Sequence, residues 1–420
     1  MLRKLELLAK RVLFMSNEVI DTLVIGGGQA GIAMSEHLGK QGLSHLVVER
    51  GRIAERWRSE RWDSLVANGP AWHDRFPNMT FDGVDPDGFA PRNNIVGYFE
   101  AYSKQIDAPV RCETEVTALR RTDDGFVAEL PTGTITCRNV VVATGPFQKP
   151  SYPAVVPGEA GLHQIHSNAY KNPGQLPDGT VIVIGAGSSG AQIADELLRS
   201  GRKVYLAIGP HDRPPRRYRG RDFVWWLGVL GMWDAKAVTS EGDHVTISVS
   251  GARGGHTVDF RELASRGMNL VGKASHYEDG TLHFSNDLAA NIARGDANYL
   301  SMLDLADAYA AREGLDLPEE PQARIIADDP ECVRNPILSL DLKKEKVAAI
   351  VWATGYTFDF SWLEPDMLDA AGAPVHDNGV GRIPGLYFLG LPGLTRRASP
   401  FIWGVWHDAA SIASHIATRE

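Results

Sequence analysis

Two glycine-rich segments, 159 positions apart, hold the residues whose types and spacing best suit chemistry. The first segment contributes Gly26, Gly28, Gln29, Ala30 and Gly31, and the second contributes Gly185, Gly187, Ser188, Ser189 and Gly190. Each segment follows an apolar run and precedes an amphipathic helical stretch. In such loops the glycines permit a tight turn, close approach of backbone to a pyrophosphate, and close helix–strand packing. Free N–H groups at the helix N-terminus also favour an anion. The repeat therefore predicts two dinucleotide sites.

An acidic residue distinguishes the first segment from the second. Glu49 lies 18 residues after Gly31, at the end of the second predicted strand, and Arg50 follows it. A carboxylate at this position accepts hydrogen bonds from ribose hydroxyls and repels a 2′-phosphate. FAD has a free 2′-hydroxyl on its adenosine ribose, so it fits the first site. Glu49 and Arg50 are therefore predicted to contact FAD.

The second segment has Ile208 at the position equivalent to Glu49, followed by a basic stretch. This stretch contains Arg213, Arg216 and Arg217. Guanidinium groups match a phosphate, and no acid at Ile208 repels one, so the pattern favours NADPH over NADH. The alternative interpretation is a solvated basic loop, since exposed arginines are common.

The predicted fold class is α/β, with two Rossmann-like dinucleotide-binding domains. Ala-Thr-Gly ends an apolar strand twice, at Gly145 and at Gly355, and these two turns bracket the second glycine-rich unit. This arrangement is expected when an NADPH domain is inserted into an FAD domain and the chain crosses between them twice. We predict an N-terminal extension over residues 1–18 and a first FAD-binding part over 19–150. The NADPH-binding domain with its own insertion is predicted over 151–333, and the second FAD-binding part over 334–420.

Composition and charge exclude several classes of protein. The chain has 420 residues, 43% hydrophobic and 23% charged, with a net charge of -9, which argues against non-specific binding to nucleic acid or acidic membranes. The three cysteines form no Cys-x-x-Cys pair, which excludes dithiol chemistry and predicts a cytoplasmic protein. No apolar run is long enough to span a bilayer. Residues 1–14 are basic and amphipathic, which fits either a surface helix or a loose extension.

Beyond these patterns, residues 19–420 resemble the group B flavin-dependent monooxygenases, the family of the flavin-containing monooxygenases. The paired loops, the segment around Trp57, the Asn68-Gly-Pro turn, the second Ala-Thr-Gly and the segment ending at Gly390 carry the resemblance. His166 and Tyr170 match part of the identifying motif of the family, whose Phe and Gly positions differ here. The resemblance implies that Trp57, Gly145, His166 and Gly390 help to bind the cofactors.

The same resemblance implies a reaction. NADPH reduces FAD, the reduced flavin takes up O2, and a C4a-(hydro)peroxide delivers one oxygen atom to a small N, S or activated carbon centre. Asn68 would then be catalytic, because its amide offers hydrogen bonds beside the flavin. The alternative for Asn68 is a turn chosen for its tolerance of positive φ.

Other functions remain open. A second enzymatic reading is oxidative decarboxylation of a 2-oxo acid of the indole-3-pyruvate type. An NADPH oxidase and a flavin-binding redox sensor are further alternatives. His163 and His166 have no Cys or carboxylate partners at ligand spacing, so no metal site is predicted. Trp225, Trp226 and Trp233 fit core packing, a substrate cavity or a homodimer contact.

Overall fold

The computed structural model describes residues 16–158, 161–236 and 246–419. The strands, in chain order, are β1 (Ser16–Ile25), β2 (His45–Val48), β3 (Val110–Arg111), β4 (Ala118–Thr122), β5 (Gly125–Leu130), β6 (Gly133–Val142), β7 (Lys149–Pro150), β8 (His163–His166), β9 (Thr180–Ile184), β10 (Val204–Ala207), β11 (His211–Asp212), β12 (Arg217–Tyr218), β13 (Arg221–Asp222), β14 (Thr246–Ile247), β15 (Asn269–Val271), β16 (Ala274–Glu278), β17 (Thr281–Phe284), β18 (Ser339–Asp341), β19 (Val347–Trp352), β20 (Tyr356–Thr357), β21 (His376–Asp377), β22 (Val380–Gly381) and β23 (Leu386–Phe388).

The α-helices of these residues are α1 (Gln29–Lys40), α2 (Glu55–Ser59), α3 (Arg92–Gln105), α4 (Ser188–Arg199), α5 (Phe223–Val229), α6 (Phe260–Ser265), α7 (Leu288–Arg312), α8 (Glu331–Arg334) and α9 (Ile402–Arg419). Short 3-10 turns lie at Pro173–Gln175, Ala252–Gly254, Pro321–Arg324 and Pro365–Met367. Within the described ranges, none of the helices is both long enough and apolar enough to cross a membrane. The amphipathic stretch 1–14 lies outside the described residues.

The two large sheets repeat one parallel topology. In the first sheet the parallel strands follow the order β3-β2-β1-β6-β23, with the antiparallel strands β4, β5, β21 and β22 attached at its sides. In the second sheet the order is β15-β10-β9-β19-β8, and every pairing is parallel. In each unit the glycine-rich loop links the central strand, β1 or β9, to the following helix. The predicted α/β class with two Rossmann-like units is confirmed.

The strand and helix patterns explain why these segments fold as they do. All five residues of β9 are buried, as expected for the central strand of a parallel sheet covered on both faces. Helix α4 places Ile193, Ala194 and Leu197 in the same core cluster as Val181 and Val183 of that strand. Each glycine-rich loop is therefore positioned between a buried strand and a helix that packs on it.

The chain crosses between the two units at β7 and β20. These two short strands pair with each other in antiparallel fashion, Lys149 opposite Thr357 and Pro150 opposite Tyr356. The hydroxyl of Thr354 donates to the carbonyl of Ser151 at 2.6 Å. The outgoing and returning segments therefore lie side by side, as predicted for an inserted unit.

Two predicted boundaries need correction. Residues 16–18, assigned to the N-terminal extension, begin β1 and pair with residues 133–135 of β6. The boundary between residues 333 and 334 lies too early, because β18 and β19 pair with strands of the second unit. The apolar sequence of β19 resembles that of β6, so hydrophobicity alone could not show which sheet it joins. The chain returns to the first unit after Trp352.

Candidate active site

The first glycine-rich loop has the shape that a pyrophosphate requires. A Cβ atom on Gly31 would lie 1.8 Å from the carbonyl oxygen of Gly26, so this position admits no side chain. Gly26 has φ +117°, and a Cβ there would lie 2.6 Å from the carbonyl oxygen of Ala143. By contrast, nothing lies within 4 Å of a Cβ built on Gly28. The loop is therefore tightly packed on the sheet and open in front of Gly28.

The second loop repeats this packing with equivalent residues. A Cβ on Gly190 would lie 1.8 Å from the carbonyl oxygen of Gly185, and Gly185 has φ +104°. The neighbour of Gly185 is Ala353, whose carbonyl oxygen would lie 2.4 Å from an added Cβ. Ala143 and Ala353 are the alanines of the two Ala-Thr-Gly turns. Each turn therefore supports the first glycine of one nucleotide loop.

Glu49 lies directly against the first loop. Its Oε2 accepts the Gly27 N–H at 2.7 Å, and its Oε1 accepts the Gly51 N–H at 2.8 Å. An ionised carboxylate has about four lone-pair sites, so two bonds to backbone leave others for ribose hydroxyls. Arg50 beside it is exposed. The geometry fits a ribose with a free 2′-hydroxyl.

The C-terminal part of the chain closes over the N-terminus of α1. Gln29 Nε2 donates to the carbonyl of Pro400 at 2.7 Å. Gly390, with φ +77°, packs so closely on Ala30 that an added Cβ would lie 2.9 Å from the Ala30 side chain. Helix α9 begins at Ile402, two residues after Pro400. The predicted contacts Gln29, Ala30 and Gly390 are thus brought together.

Trp57 and Gly145 lie at the junction of the units. Trp57 is half-buried and contacts the hydrophobic cores of both units. The guanidinium carbon of Arg61 lies 5.6 Å from the centroid of the Trp57 ring. Gly145 has φ +71°, and its carbonyl accepts a hydrogen bond of 2.9 Å from Gln148. Both residues border the crossing segments.

Ser188 connects the second loop to a segment of the insertion. Its hydroxyl donates to the Ile247 carbonyl at 2.9 Å and accepts the Val249 N–H at 3.2 Å. Gly187 is buried, whereas Ser189 is half-exposed. Residues 247–250 therefore form a wall beside the N-terminus of α4.

Arg213 and Arg216 do not have the role predicted for them. Arg213 is buried and pairs with Asp296 at 2.8 Å. Arg216 is buried, forms an ion pair with Asp222, and donates to the Asn68 carbonyl at 2.6 Å. Burial lowers the pKa of Arg216, and Asp222 opposes that effect. Both guanidinium groups are engaged inside the protein, so they are not available to a 2′-phosphate.

Arg217 differs from its two neighbours because its side chain is exposed. Of the three arginines predicted to bind the 2′-phosphate, Arg217 is the one whose side chain is exposed and can reach a ligand.

His166 also has a different role. Its side chain is fully buried, its Nδ1 accepts the Asn168 N–H at 3.2 Å, and its Nε2 lies 2.9 Å from the Gly355 carbonyl. Because a carbonyl oxygen only accepts, Nε2 is the donor to Gly355, while Nδ1 also lies 3.1 Å from the Asn168 Oδ1. His166 therefore fixes the returning crossing segment and presents no surface to a cofactor. The cofactor-binding role that the resemblance implied for His166 is corrected to a positioning role.

Asn68 lies where the two units meet. Its Oδ1 accepts a hydrogen bond of 2.9 Å from Gln192 on α4, and its carbonyl accepts Arg216. Neither Asn68 nor Gly69 has a positive φ. The alternative that the turn exists for its tolerance of positive φ is therefore wrong. Among the described residues no group bonds the Nδ2 of Asn68, so this donor is left for a ligand.

Sequence reasoning missed the residues that hold this turn. Asp74 accepts the Gly69 N–H at 3.0 Å and contacts His73 Nδ1 at 2.8 Å. The ring of His73 stacks on Trp233 at 5.2 Å. The Trp-His-Asp sequence just after Asn68-Gly-Pro was the available signal. The sequence carries no local signal that Gln192 and Arg216 contact Asn68, because both contacts span more than 120 residues of chain.

A cavity of about 300 Å³ adjoins this junction, which is the low end of ligand-sized pockets. Its walls come from both units and include Trp62, Gln192, Ser250, Arg253 and His256.

The tryptophans of the insertion pack into the core. Trp226 and Trp233 are buried, and their ring N–H groups donate to Tyr218 and Val224 carbonyls at 3.0 and 3.2 Å. Core packing is therefore the interpretation that the structure supports for these two.

Comparison with known proteins agrees with this architecture. The family model described as pyridine nucleotide-disulphide oxidoreductase matches residues 23–221. A protein of Geobacillus kaustophilus (strain HTA426), named "Uncharacterized oxidoreductase CzcO-like", is 32% identical, over 95% of this chain and 98% of its own length.

Two solved structures share the fold. A flavin-containing monooxygenase from Stenotrophomonas maltophilia aligns with TM-score 0.66 at 18% identity, covering 96% of this chain and 99% of that one. A complex of OTEMO with FAD and NADP aligns with TM-score 0.56 at 17% identity, covering 96% and 86%. The relative that matches over nearly its full length shows that this chain belongs to the family of the CzcO-like oxidoreductases, and its fold is that of a flavin-containing monooxygenase.

Proposed function

We propose that this protein is an FAD- and NADPH-dependent monooxygenase that inserts one oxygen atom of O2 into a small organic substrate. The observation that carries the proposal is the duplicated loop packing combined with an acid, Glu49, in the first copy and an apolar residue, Ile208, in the second. Two nucleotide sites of opposite preference on one chain suit an enzyme that moves a hydride between two cofactors.

The first loop is the proposed FAD site. Space in front of Gly28 admits a pyrophosphate, and the first N–H groups of α1, which have no intrahelical acceptor, provide donors for it. Glu49 is held by two backbone N–H groups and has lone pairs left for the ribose. The segment from Gly390 to α9 covers the same region, which would exclude water from the bound group.

The second loop is the proposed NADPH site. Its packing repeats that of the first loop, and no carboxylate occupies position 208 to repel a 2′-phosphate. Arg217 is an exposed cation in the following stretch. The proposed preference for NADPH over NADH therefore rests on Ile208 and Arg217. It does not rest on Arg213 and Arg216, whose guanidinium groups are buried in ion pairs.

Asn68 is the proposed catalytic residue. When bound, FAD supplies the redox chemistry with NADPH and O2. The chain contributes an amide whose Oδ1 is fixed by Gln192, so that Nδ2 is aimed as a donor. A preoriented donor in a covered site stabilises developing charge more than the same group in water.

The proposal is tested by following both NADPH and oxygen. The purified protein should contain FAD, and NADPH should reduce it without air. In air, a panel of amines, sulfides and 2-oxo acids should include compounds that lower the hydrogen peroxide formed per NADPH and that gain one labelled oxygen atom from 18O2.

Other outcomes would select other functions. Release of CO2 from indole-3-pyruvate would favour the oxidative decarboxylase, whereas one peroxide per NADPH with every compound would favour an NADPH oxidase. No reduction of bound FAD by NADPH would contradict an enzyme of this kind and favour a redox sensor.

A further inference from the structure

The exposed face of a small sheet in the second unit carries two histidines and a glutamate. Strands β16 and β17 form an antiparallel hairpin in which His276 lies opposite His283. The two-residue turn, Asp279-Gly280, has positive φ at both positions, as type I′ hairpin turns require. Glu278 lies two residues after His276 and so faces the same side. The turn therefore fixes the register that brings the three side chains together.

The opposite face of this hairpin anchors it to the protein. Leu282 and Phe284 are buried, and with Tyr277 they pack into the core cluster around Ile182 and Ile350 of the second unit. His276 and Glu278 are exposed and His283 is half-buried. The three polar side chains thus project from a rigid support into solvent.

The distances suit a shared ion. The rings of His276 and His283 are parallel within 2°, with centroids 4.3 Å apart. One ligand atom from each of the three residues lies within 4.8 Å of the other two. Ligand atoms around a tetrahedral zinc are about 3.3 Å apart, given Zn–N bonds of about 2.0 Å. Side-chain rotations that shorten these separations by up to about 1.5 Å would therefore bring all three onto one ion.

A fourth residue orients one of the ligands. The Ser275 hydroxyl lies 3.1 Å from Nδ1 of His276. Metal-binding histidines commonly use one ring nitrogen for such a hydrogen bond and the other for the ion. This contact leaves Nε2 of His276 for coordination.

We propose that His276, Glu278 and His283 form a surface binding site for a divalent transition-metal ion of the Zn²⁺ type. Two imidazoles and a carboxylate are ligands that such ions favour, and water completes the coordination. The ion links β16 to β17 and therefore stabilises the folded second unit. The site is separate from both glycine-rich loops and does not depend on the proposed oxygenase function.

The experiment uses the full-length, untagged, FAD-containing protein after treatment with a chelator. Zn²⁺ binding is measured by calorimetry for the wild type and for His276→Asn, His283→Asn and Glu278→Gln. His163→Asn is the control, because His163 is an exposed strand histidine outside the cluster. Flavin content and circular dichroism establish that each variant is folded.

The wild type and His163→Asn should each bind one equivalent of Zn²⁺, and both should unfold at a higher temperature when Zn²⁺ is present. Each variant of the three ligands should bind at least about tenfold more weakly, since even an outer partner of a ligand is worth about 10–100-fold in affinity. Their unfolding temperatures should not respond to Zn²⁺. Absence of a bound equivalent in the wild type, or wild-type affinity in any of the three ligand variants, would overturn the proposal.

Discussion

Gln192 Nε2 donates a hydrogen bond of 2.9 Å to Oδ1 of Asn68, and it also donates to the Val249 carbonyl at 3.0 Å. Gln192 lies in the first turns of α4, directly after the second glycine-rich loop, whereas Asn68 belongs to the first unit. One side chain therefore joins the proposed NADPH loop, its neighbouring wall and the proposed catalytic amide. A nucleotide that shifts α4 would also shift Gln192, and with it the orientation of the Asn68 amide.

Gln192→Leu should uncouple NADPH use from oxygenation. The substitution keeps the side chain's approximate size but removes both hydrogen bonds, so the Asn68 amide is free to rotate. One net hydrogen bond of about 1 kcal/mol corresponds to about a fivefold change in the population of the correct orientation. Peroxide formed per NADPH should rise severalfold while FAD content stays the same. Gln322→Leu, at an exposed position, is the control. Equal peroxide yields in Gln192→Leu and wild type would contradict the role of this bond.

Gly31→Ala and Gly190→Ala should have different effects on the two cofactors. Each added Cβ would lie 1.8 Å from a carbonyl oxygen of its own loop, so the loop must distort. Gly31→Ala should yield protein without FAD. Gly190→Ala should retain FAD that NADPH no longer reduces. Absorbance of bound flavin and its bleaching by NADPH distinguish these results.

Gly97→Ala provides the control for the glycine variants. This residue lies in α3 with nothing within 4 Å of an added Cβ, so the substitution should be tolerated. Loss of FAD from Gly190→Ala together with FAD retention in Gly31→Ala would reverse the proposed assignment.

Arg216→Ala and Arg217→Ala should separate stability from nucleotide preference. Arg216→Ala leaves Asp222 without its partner beside the Asn68 turn, and breaking a buried ion pair costs about 3–5 kcal/mol. Its thermal unfolding midpoint should fall markedly. Arg217→Ala should unfold like the wild type, but its KM for NADPH should rise relative to that for NADH. An unchanged NADPH-to-NADH ratio in Arg217→Ala would remove the basis for the phosphate preference.

His166 should contribute to stability in a pH-dependent way. Burial lowers the pKa of His166, so the folded state favours the neutral ring. Its contribution is therefore fully present above the ordinary pKa of about 6.5 and is lost as pH falls below that value. His166→Gln keeps a donor for Gly355 but does not titrate.

The free energy of unfolding should fall more steeply with decreasing pH in the wild type than in His166→Gln. The two proteins should have the same KM for NADPH. If His166→Gln instead had a raised KM for NADPH and the same pH dependence of the free energy of unfolding as the wild type, the predicted cofactor contact of His166 would be supported.

Local spacing was enough to predict the nucleotide loops, because Gly31 and Gly190 are constrained by carbonyl oxygens of their own loops and Gly26 and Gly185 have positive φ. The two Ala-Thr-Gly turns also predicted the double crossing. Their further role, supporting Gly26 and Gly185 through Ala143 and Ala353, required the sheet order.

Contacts between distant segments could not be predicted. Arg216 and Arg217 are adjacent and identical in type, yet Asp222 and Asn68 enclose one and solvent surrounds the other. Likewise, both β19 and the end of β6 are apolar, and only its pairing with β8 and β9 assigns β19 to the second unit.

A crystal structure of the protein with FAD and NADP⁺ tests the two-site assignment most directly. We expect the FAD adenosine ribose on Glu49 and the NADP⁺ pyrophosphate at the N-terminus of α4. Adenosine groups exchanged between the two loops would contradict it. A second loop that takes no nucleotide beside residues 247–250 would also contradict it.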